Sequence, residues 1–342
     1  MAEIKPNYDT KRKKLAEIIP LAHPFTVYIE QTKYCNFKCF YCIHSTRDEA
    51  DGEFRALGHR MQHIDDSFFE KIIRELKEFP QGGIKRIVFS GLGEPLTNPH
   101  LPDYVRMTVE AGIAGRVEVI TNGLLLTPEK SRVLVEAGIT NINISVQGLD
   151  AEGYQKTCGV LIDFDRYLEN LKYLYEHKGN VQIYIKAIDA TLKTKENEEK
   201  FFRIFSPFAD RIYIEHLVVM QQQMDGLREI VDGTKNFYGE ELDVNRKVCA
   251  QSFYFMQIGC EGDIFPCPVP GLGQNLSMGN AKEHTLMEIW NGSRRRGFLR
   301  KMLKKEKDQI PDCATCTCFN AINNPMEQLD DDAERLLPLF AD

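Results

Sequence analysis

From Phe25 to His216 the chain alternates short apolar runs with longer stretches whose apolar positions recur every three or four residues. The runs predict strands at Phe25–Glu30, Arg86–Ser90, Val117–Ile120, Asn141–Val146, Val181–Ala187 and Arg211–His216. The longer stretches predict helices at Asp66–Phe79, Leu101–Ala111, Pro128–Ala137, Phe164–His177 and Glu196–Phe205, the last stopped by Pro207. Each strand, helix and next strand has the length of a right-handed crossover, so a parallel sheet follows. Six such units predict an α/β fold, a partial (β/α)6 TIM-like barrel rather than a closed eightfold one.

After His216 the alternation stops. The expected organisation is an N-terminal extension over 1–24, the barrel over 25–217 and a polar linker over 218–248. A small α+β domain over 249–321 follows, with hairpin-like turns and one helix near Leu286 to Lys304. The acidic tail, 322–342, is expected to end in a helix.

Composition narrows the function. The 342 residues are 43% hydrophobic and 27% charged, which is ordinarily globular, and the net charge of -7 argues against a nucleic-acid surface. The one basic run, Arg294 to Arg296 with Lys301, Lys304 and Lys305, reads as a solvated helix face. No apolar stretch approaches the roughly 20 residues a membrane span needs, and Met1 to Lys14 is charged rather than signal-like, so a cytoplasmic protein with no membrane partner is expected. In a reducing compartment the ten cysteines are metal or redox ligands before they are disulfides.

Cys35, Cys39 and Cys42 form a C-x3-C-x2-C pattern just past the first predicted strand, where a parallel barrel opens its mouth. Three thiolates hold three irons of a four-iron cluster and leave the fourth for an outside ligand, whereas a structural zinc site takes four protein ligands. Ser90-Gly91-Leu92-Gly93-Glu94-Pro95 follows the second strand, with glycines where a backbone must approach a ligand closely. With these motifs the chain resembles the radical S-adenosylmethionine (SAM) superfamily over roughly Phe25 to Ala321. The resemblance implies that Tyr41 packs near the SAM adenine, and that the Gly91–Gly93 backbone and the Glu94 carboxylate hold the methionine ammonium. It further places Asn122, Ser145 and Gln147, at the ends of the third and fourth strands, on the ribose and carboxylate.

A second group begins with Cys249 and Cys267, separated by 17 residues, and ends with Cys313 and Cys316 after a 45-residue gap. By spacing alone this is a four-thiolate site for zinc or for a cluster. Gly262 to Cys267, Met278-Gly279-Asn280 and Leu286 to Trp290 make the segment similar to the SPASM/twitch extension of radical SAM enzymes, which implies an auxiliary [4Fe-4S] cluster on Cys249, Cys267, Cys313 and Cys316. Cys260 is left as a swap ligand or a free thiol facing the cavity, Cys318 as unliganded packing, and Cys158 as a buried thiol or a hydrogen donor.

Two [4Fe-4S] clusters and SAM are thus the expected cofactors, with a flavodoxin- or ferredoxin-type electron donor. The family's common step, reductive SAM cleavage to a 5′-deoxyadenosyl radical, would abstract hydrogen from a small polar metabolite such as a sugar, aminocyclitol or alcohol, as in the similar dehydrogenases of aminoglycoside biosynthesis. The auxiliary cluster would take the electron, and Asp189, Glu215 or His216 would supply a base. Lys186, on the fifth strand, would point into the barrel toward a carboxylate or substrate. The alternative is a ribosomal-peptide maturase, an epimerase or crosslinking enzyme, with Cys260 or Cys158 as hydrogen donor. The 24 residues ahead of Phe25 are short for the peptide-recognition module many such enzymes carry.

Overall fold

The computed structural model describes residues 2–7, 12–220, 225–243, 245–314, 316–321 and 324–341. Thr315, between Cys313 and Cys316, and both ends of the expected tail, 322–323 and 342, lie outside the described residues.

A single sheet organises the chain. Its strands are β1 (Glu3–Ile4), β2 (Thr26–Ile29), β3 (Arg86–Phe89), β4 (Arg116–Thr121), β5 (Asn141–Ser145), β6 (Gln182–Ile188), β7 (Arg211–Glu215), β8 (Phe255–Ile258) and β9 (Ile264–Phe265). They run in the order β1-β7-β6-β5-β4-β3-β2-β8-β9, parallel throughout except for the β8–β9 hairpin. The six predicted strands are β2 to β7. Three strands extend them: β1 pairs with β7, β8 pairs in parallel with β2, and β9 pairs antiparallel with β8.

Alternation along the strands sorts the side chains. Val27, Ile29, Ile87, Phe89, Val117, Val119, Ile142, Ile144, Ile183, Ile185 and Ile212 join the main core with Phe69, Ile72, Val105, Leu134 and Leu171 of the covering helices. The opposite, inner face is polar and bonded to itself. Arg86 donates to Thr26 (3.2 Å), Asn143 to the Glu118 carboxylate (3.2 Å), Asn7 to Asn143 (3.0 Å) and Lys186 to Glu215 (2.6 Å). A barrel filled this way carries a hydrophilic floor under its mouth.

Local chemistry sets the helix ends. Asp65, Thr127, Asp163 and Thr194 cap the helices Asp66–Leu76, Pro128–Glu136, Phe164–His177 and Lys195–Phe205 by accepting from backbone N–H groups of the first turn. A further helix, Ala151–Cys158, is capped by Asp150 and closed by Gly159 at φ 68°, the left-handed position glycine favours. The expected single helix near Leu286 to Lys304 is two, Leu286–Trp290 and Ser293–Leu303, with Gly292 starting the second.

A second core gathers Leu15, Ile19, Phe253, Leu299, Met302, Leu336 and Phe340 from both ends of the chain and the cysteine-bearing segment. The acidic tail is thus anchored there through its helix Ala333–Leu336. Arg295 departs from the solvated face expected of its run. It is buried, its guanidinium lies 3.4 Å from the Trp290 ring centroid, and it donates to the carbonyls of Trp290, Ser252 and Phe253.

Candidate functional site

The chemistry-bearing residues collect where the parallel strands end. Past β2 the chain runs through Glu30 and Lys33 into the loop of Cys35, Cys39 and Cys42, all half-buried and free of disulfides. The loop is held by backbone. Lys38 and Phe40 donate to the carbonyls of Cys158 and Thr157 at the end of the helix Ala151–Cys158, and Cys42 donates to the Cys39 carbonyl. Arg47 braces it further by donating to the Phe37 carbonyl at 2.5 Å. Burial pushes Cys35 up and Cys42 up to about 12, and in each case the neighbouring thiols of the set add to the shift. Cys158 is fully buried with its sulfur 3.6 Å from that of Cys39, a contact that with burial raises the Cys39 thiol.

The Ser90–Glu94 loop after β3 packs against the cysteine loop with no room for side chains. A Cβ on Gly93 would lie 2.3 Å from the Thr32 carbonyl oxygen, and one on Gly91 would lie 2.5 Å from the Glu30 side chain. The Glu94 carboxylate is buried and already accepts from the Thr121 hydroxyl (2.6 Å), the Asn122 N–H (2.7 Å) and the Leu96 N–H (3.0 Å). It therefore ties the ends of β3 and β4 together, which leaves loop backbone as the surface for an ammonium.

Asn122 in turn donates to Asn36 inside the cysteine loop (2.7 Å). Tyr41 donates to the Gln147 side chain (2.5 Å), and Gln147 donates to the Ser145 carbonyl (3.2 Å). The sequence-predicted cofactor residues Tyr41, Gly91, Gly93, Glu94, Asn122, Ser145 and Gln147 are thus brought to one rim. Their donors, acceptors and glycine cradle fit SAM beside a cluster on three thiols.

The catalytic candidates separate. Lys186 and Glu215 pair at 2.6 Å, with Tyr184 donating to the same carboxylate at 3.1 Å. Both nitrogens of His216 face acceptors, the Asp189 carboxylate at 2.5 Å and the Asp232 carbonyl at 2.9 Å. Asp189 also accepts from the Leu217 N–H, so neither group is unpartnered. Cys260 is buried with its thiol donating to the Glu30 carbonyl at 2.9 Å, and burial pushes that thiol well up. It stitches β8 to β2 and does not face open space.

Sequence reasoning missed a cavity of about 50 Å³ at the ends of β2 and β8, lined by Glu30, Lys33, His59, Gln257 and Glu261. Lys33 is buried, donates to both Glu261 oxygens (2.7 and 2.6 Å) and lies 3.7 Å from Glu30. Burial raises Glu30, with Lys33 opposing it. Two buried atoms on the lining, Gln257 Oε1 and His59 Nε2, find no partner among the described residues. The one sequence signal was a charged pair, Glu30 and Lys33, directly after an apolar strand.

The second thiol group also converges. Cys249, Cys267, Cys313 and Cys316 line a common cavity with Lys307, and Cys318 lines it too. Burial pushes Cys249 up to about 11 and Cys313 up to about 12, and the thiols raise one another. Cys318, read from sequence as packing, is buried beside Val218, Val269 and Ala321 and also lines this cavity. Among the described residues no group of three or more donors stands at single-ion distances. The four thiols of this set and the open set of three in the cysteine loop are soft donors of the kind iron-sulfur clusters take.

Residues 29–205 match the Radical SAM superfamily, and residues 249–317 match the SPASM iron-sulfur cluster-binding domain. The chain is 23% identical, over 86% of its length and 88% of the relative's, to a tungsten-containing aldehyde ferredoxin oxidoreductase cofactor-modifying protein of Pyrococcus furiosus. It is 24% identical to the PqqA peptide cyclase of Streptomyces rochei, over 86% of this chain and 85% of that one. Its fold is like that of BtrN in complex with AdoMet and 2-DOIA, with a TM-score of 0.55 and 19% identity over 85% of this chain and 92% of that one. No helix among the described residues is long and apolar enough to cross a membrane. The chain belongs to the radical SAM superfamily and carries a C-terminal SPASM domain.

Proposed function

We propose that this enzyme abstracts hydrogen from a small polar metabolite, a sugar, aminocyclitol or alcohol, and oxidises it by two electrons, with the second thiol site holding the cluster that accepts one of them. SAM bound beside the first cluster supplies the hydrogen-abstracting chemistry, which belongs to the cofactor. The chain's own residues place and protect the reacting carbon. Cys35, Cys39 and Cys42 hold one cluster; the Gly91–Gly93 backbone, Asn122, Ser145, Gln147 and Tyr41 orient SAM; Cys249, Cys267, Cys313 and Cys316 hold the other.

The observation that carries this reading is the polar cavity at the ends of β2 and β8, where buried Gln257 and His59 atoms await a hydrogen-bonding partner. One hydroxyl or amino group of such a substrate offers that partner, since a space of about 50 Å³ takes a polar group rather than a whole ring. Likeness to BtrN, whose crystal contains AdoMet and 2-DOIA, supports the same class. A closed set of four or more thiols leaves no iron open to substrate, which supports electron acceptance. The reductant fits a flavodoxin- or ferredoxin-type protein.

The second reading is peptide modification, favoured by similarity to the PqqA peptide cyclase over most of both chains. The buried position of Cys260 and Cys158 speaks against either as an accessible hydrogen donor. The test is anaerobic incubation of the reconstituted enzyme with SAM, reductant and carbon-deuterated aminocyclitols, sugars or peptides. Deuterium in 5′-deoxyadenosine from an aminocyclitol or sugar supports the first reading; deuterium from peptides alone replaces it with the second.

A further inference from the structure

Lys307 is a buried cation inside the second thiol site. It is 7% exposed and lines the cavity of Cys249, Cys267, Cys313, Cys316 and Cys318. Its ammonium donates to the Cys313 carbonyl and, at 3.2 Å, to the Ala314 carbonyl, and lies 4.6 Å from the Phe319 ring centroid. Among the described residues its one carboxylate within 4 Å is that of Asp308, at 3.9 Å with a side chain 86% exposed. Two carbonyls and a ring face do not balance a full charge withdrawn from water.

Lys307 shares that cavity with five thiols, and among the described residues no carboxylate lines it. A four-iron cluster on four thiolates is a net anion, and its potential follows nearby charge and hydrogen bonding.

We propose that Lys307 is the built-in counter-charge of the second cluster, a positioning residue that raises its reduction potential and so fits it to accept an electron. The inference rests on the reading that these thiols hold a cluster. Wild-type protein with about four irons in total, as one four-iron cluster gives, sinks that reading, whereas the result below sinks only the role of Lys307.

The test is a redox titration of the reconstituted holoenzyme followed by electron paramagnetic resonance, comparing wild type with Lys307→Met, Lys307→Gln and Lys307→Arg. The cluster on Cys35, Cys39 and Cys42 serves as internal reference. Met and Gln should lower the midpoint of the second cluster by at least the equivalent of a tenfold change in its reduced-to-oxidised ratio, 59 mV for one electron. Arg should restore most of it, and the reference cluster should not move. If Met and Gln lose the second cluster while Arg keeps it, the charge is needed to hold the anion and the proposal stands. Unchanged midpoints in Met and Gln, a shift in Arg as large as in Met, or loss of iron in all three variants would overturn it.

Discussion

The Lys186–Glu215 pair offers the sharpest check on the inner face, because sequence reasoning points Lys186 toward a carboxylate or substrate and offers Glu215 as a base, and the structure pairs the two. The perturbation is Glu215→Gln, which keeps the side-chain shape and removes the charge opposite an ammonium 2.6 Å away. The two side chains are 25% and 14% exposed, so the pair sits between the open-surface and buried cases. Exposed pairs contribute about 0.2–1 kcal/mol, and removing one partner of a fully buried pair costs about 3–5 kcal/mol. An intermediate loss of about 1–3 kcal/mol is expected, with Tyr184 also losing its charged acceptor.

Lys186→Met should destabilise by a similar amount, since it strands the carboxylate instead. The double variant removes both charges and should cost less than the sum, with a coupling of about 1–2 kcal/mol. The assay is urea unfolding of the four metal-free proteins at neutral pH, repeated in high salt, which should shrink the coupling. Coupling below about 0.5 kcal/mol, within ordinary additivity, would mean the two groups do not meet in solution and would return Lys186 and Glu215 to the list of free catalytic groups.

Gly93→Ala forces a Cβ to within 2.3 Å of the Thr32 carbonyl oxygen and 2.7 Å of that of Tyr34, both backbone, so it should cost about 3 kcal/mol and abolish SAM binding in equilibrium dialysis. A stable variant with wild-type SAM affinity would contradict the close packing of the two loops. Arg295→Met strips three carbonyls of their donor and a ring face of its cation, and calorimetry should show a loss of about 2–4 kcal/mol; no change would mean that water replaces the guanidinium. Changing Cys35, Cys39 and Cys42 together to Ala should lower iron from about eight to about four per chain, as two four-iron clusters require. Iron falling to none with zinc retained would remove the proposed electron acceptor.

The barrel strands were legible because each pairs with a sequence neighbour and faces covering helices on one side. Val117, Val119 and Ile120 make a short apolar run ahead of Thr121-Asn122-Gly123, and that run marks β4. Nothing comparable marks β8. Phe255–Ile258 is buried at every position and pairs with Thr26–Ile29, more than two hundred residues earlier, so neither alternation nor proximity points to it. The helix Ala151–Cys158 was passed over because Gly153 sits inside it, and its caps, Asp150 and Gly159, also read as turn residues.

The candidate site divides the same way. Thiols and glycines announce themselves by spacing, since ligands cluster along the chain. The Glu30–Lys33–Glu261 network does not, because Glu261 comes from the far side of the β2–β8 seam. Lys307 was hidden too: it follows a basic helix, and only folding separates it from the solvated lysines before it.

That seam changes how the two thiol sites relate. β2 leads directly into the loop of Cys35, Cys39 and Cys42, while β8 and β9 are flanked by Cys249 before and Cys267 after. Because β8 is hydrogen-bonded to β2 residue for residue, from Thr26 opposite Phe255 to Ile29 opposite Ile258, the second site belongs to the edge of the barrel sheet rather than to a tethered module. Cys260, donating to the Glu30 carbonyl, closes that seam at the barrel mouth, and the Lys33–Glu261 pair closes it again one step outward. A hydrogen-bonded ladder between the two thiol sites ties their separation to the sheet, which a flexible linker would leave to fluctuate. Cys260, read from sequence as a spare thiol, and the Lys33–Glu261 pair are on this account the fasteners that hold the two thiol sites and the cavity between β2 and β8 in one frame.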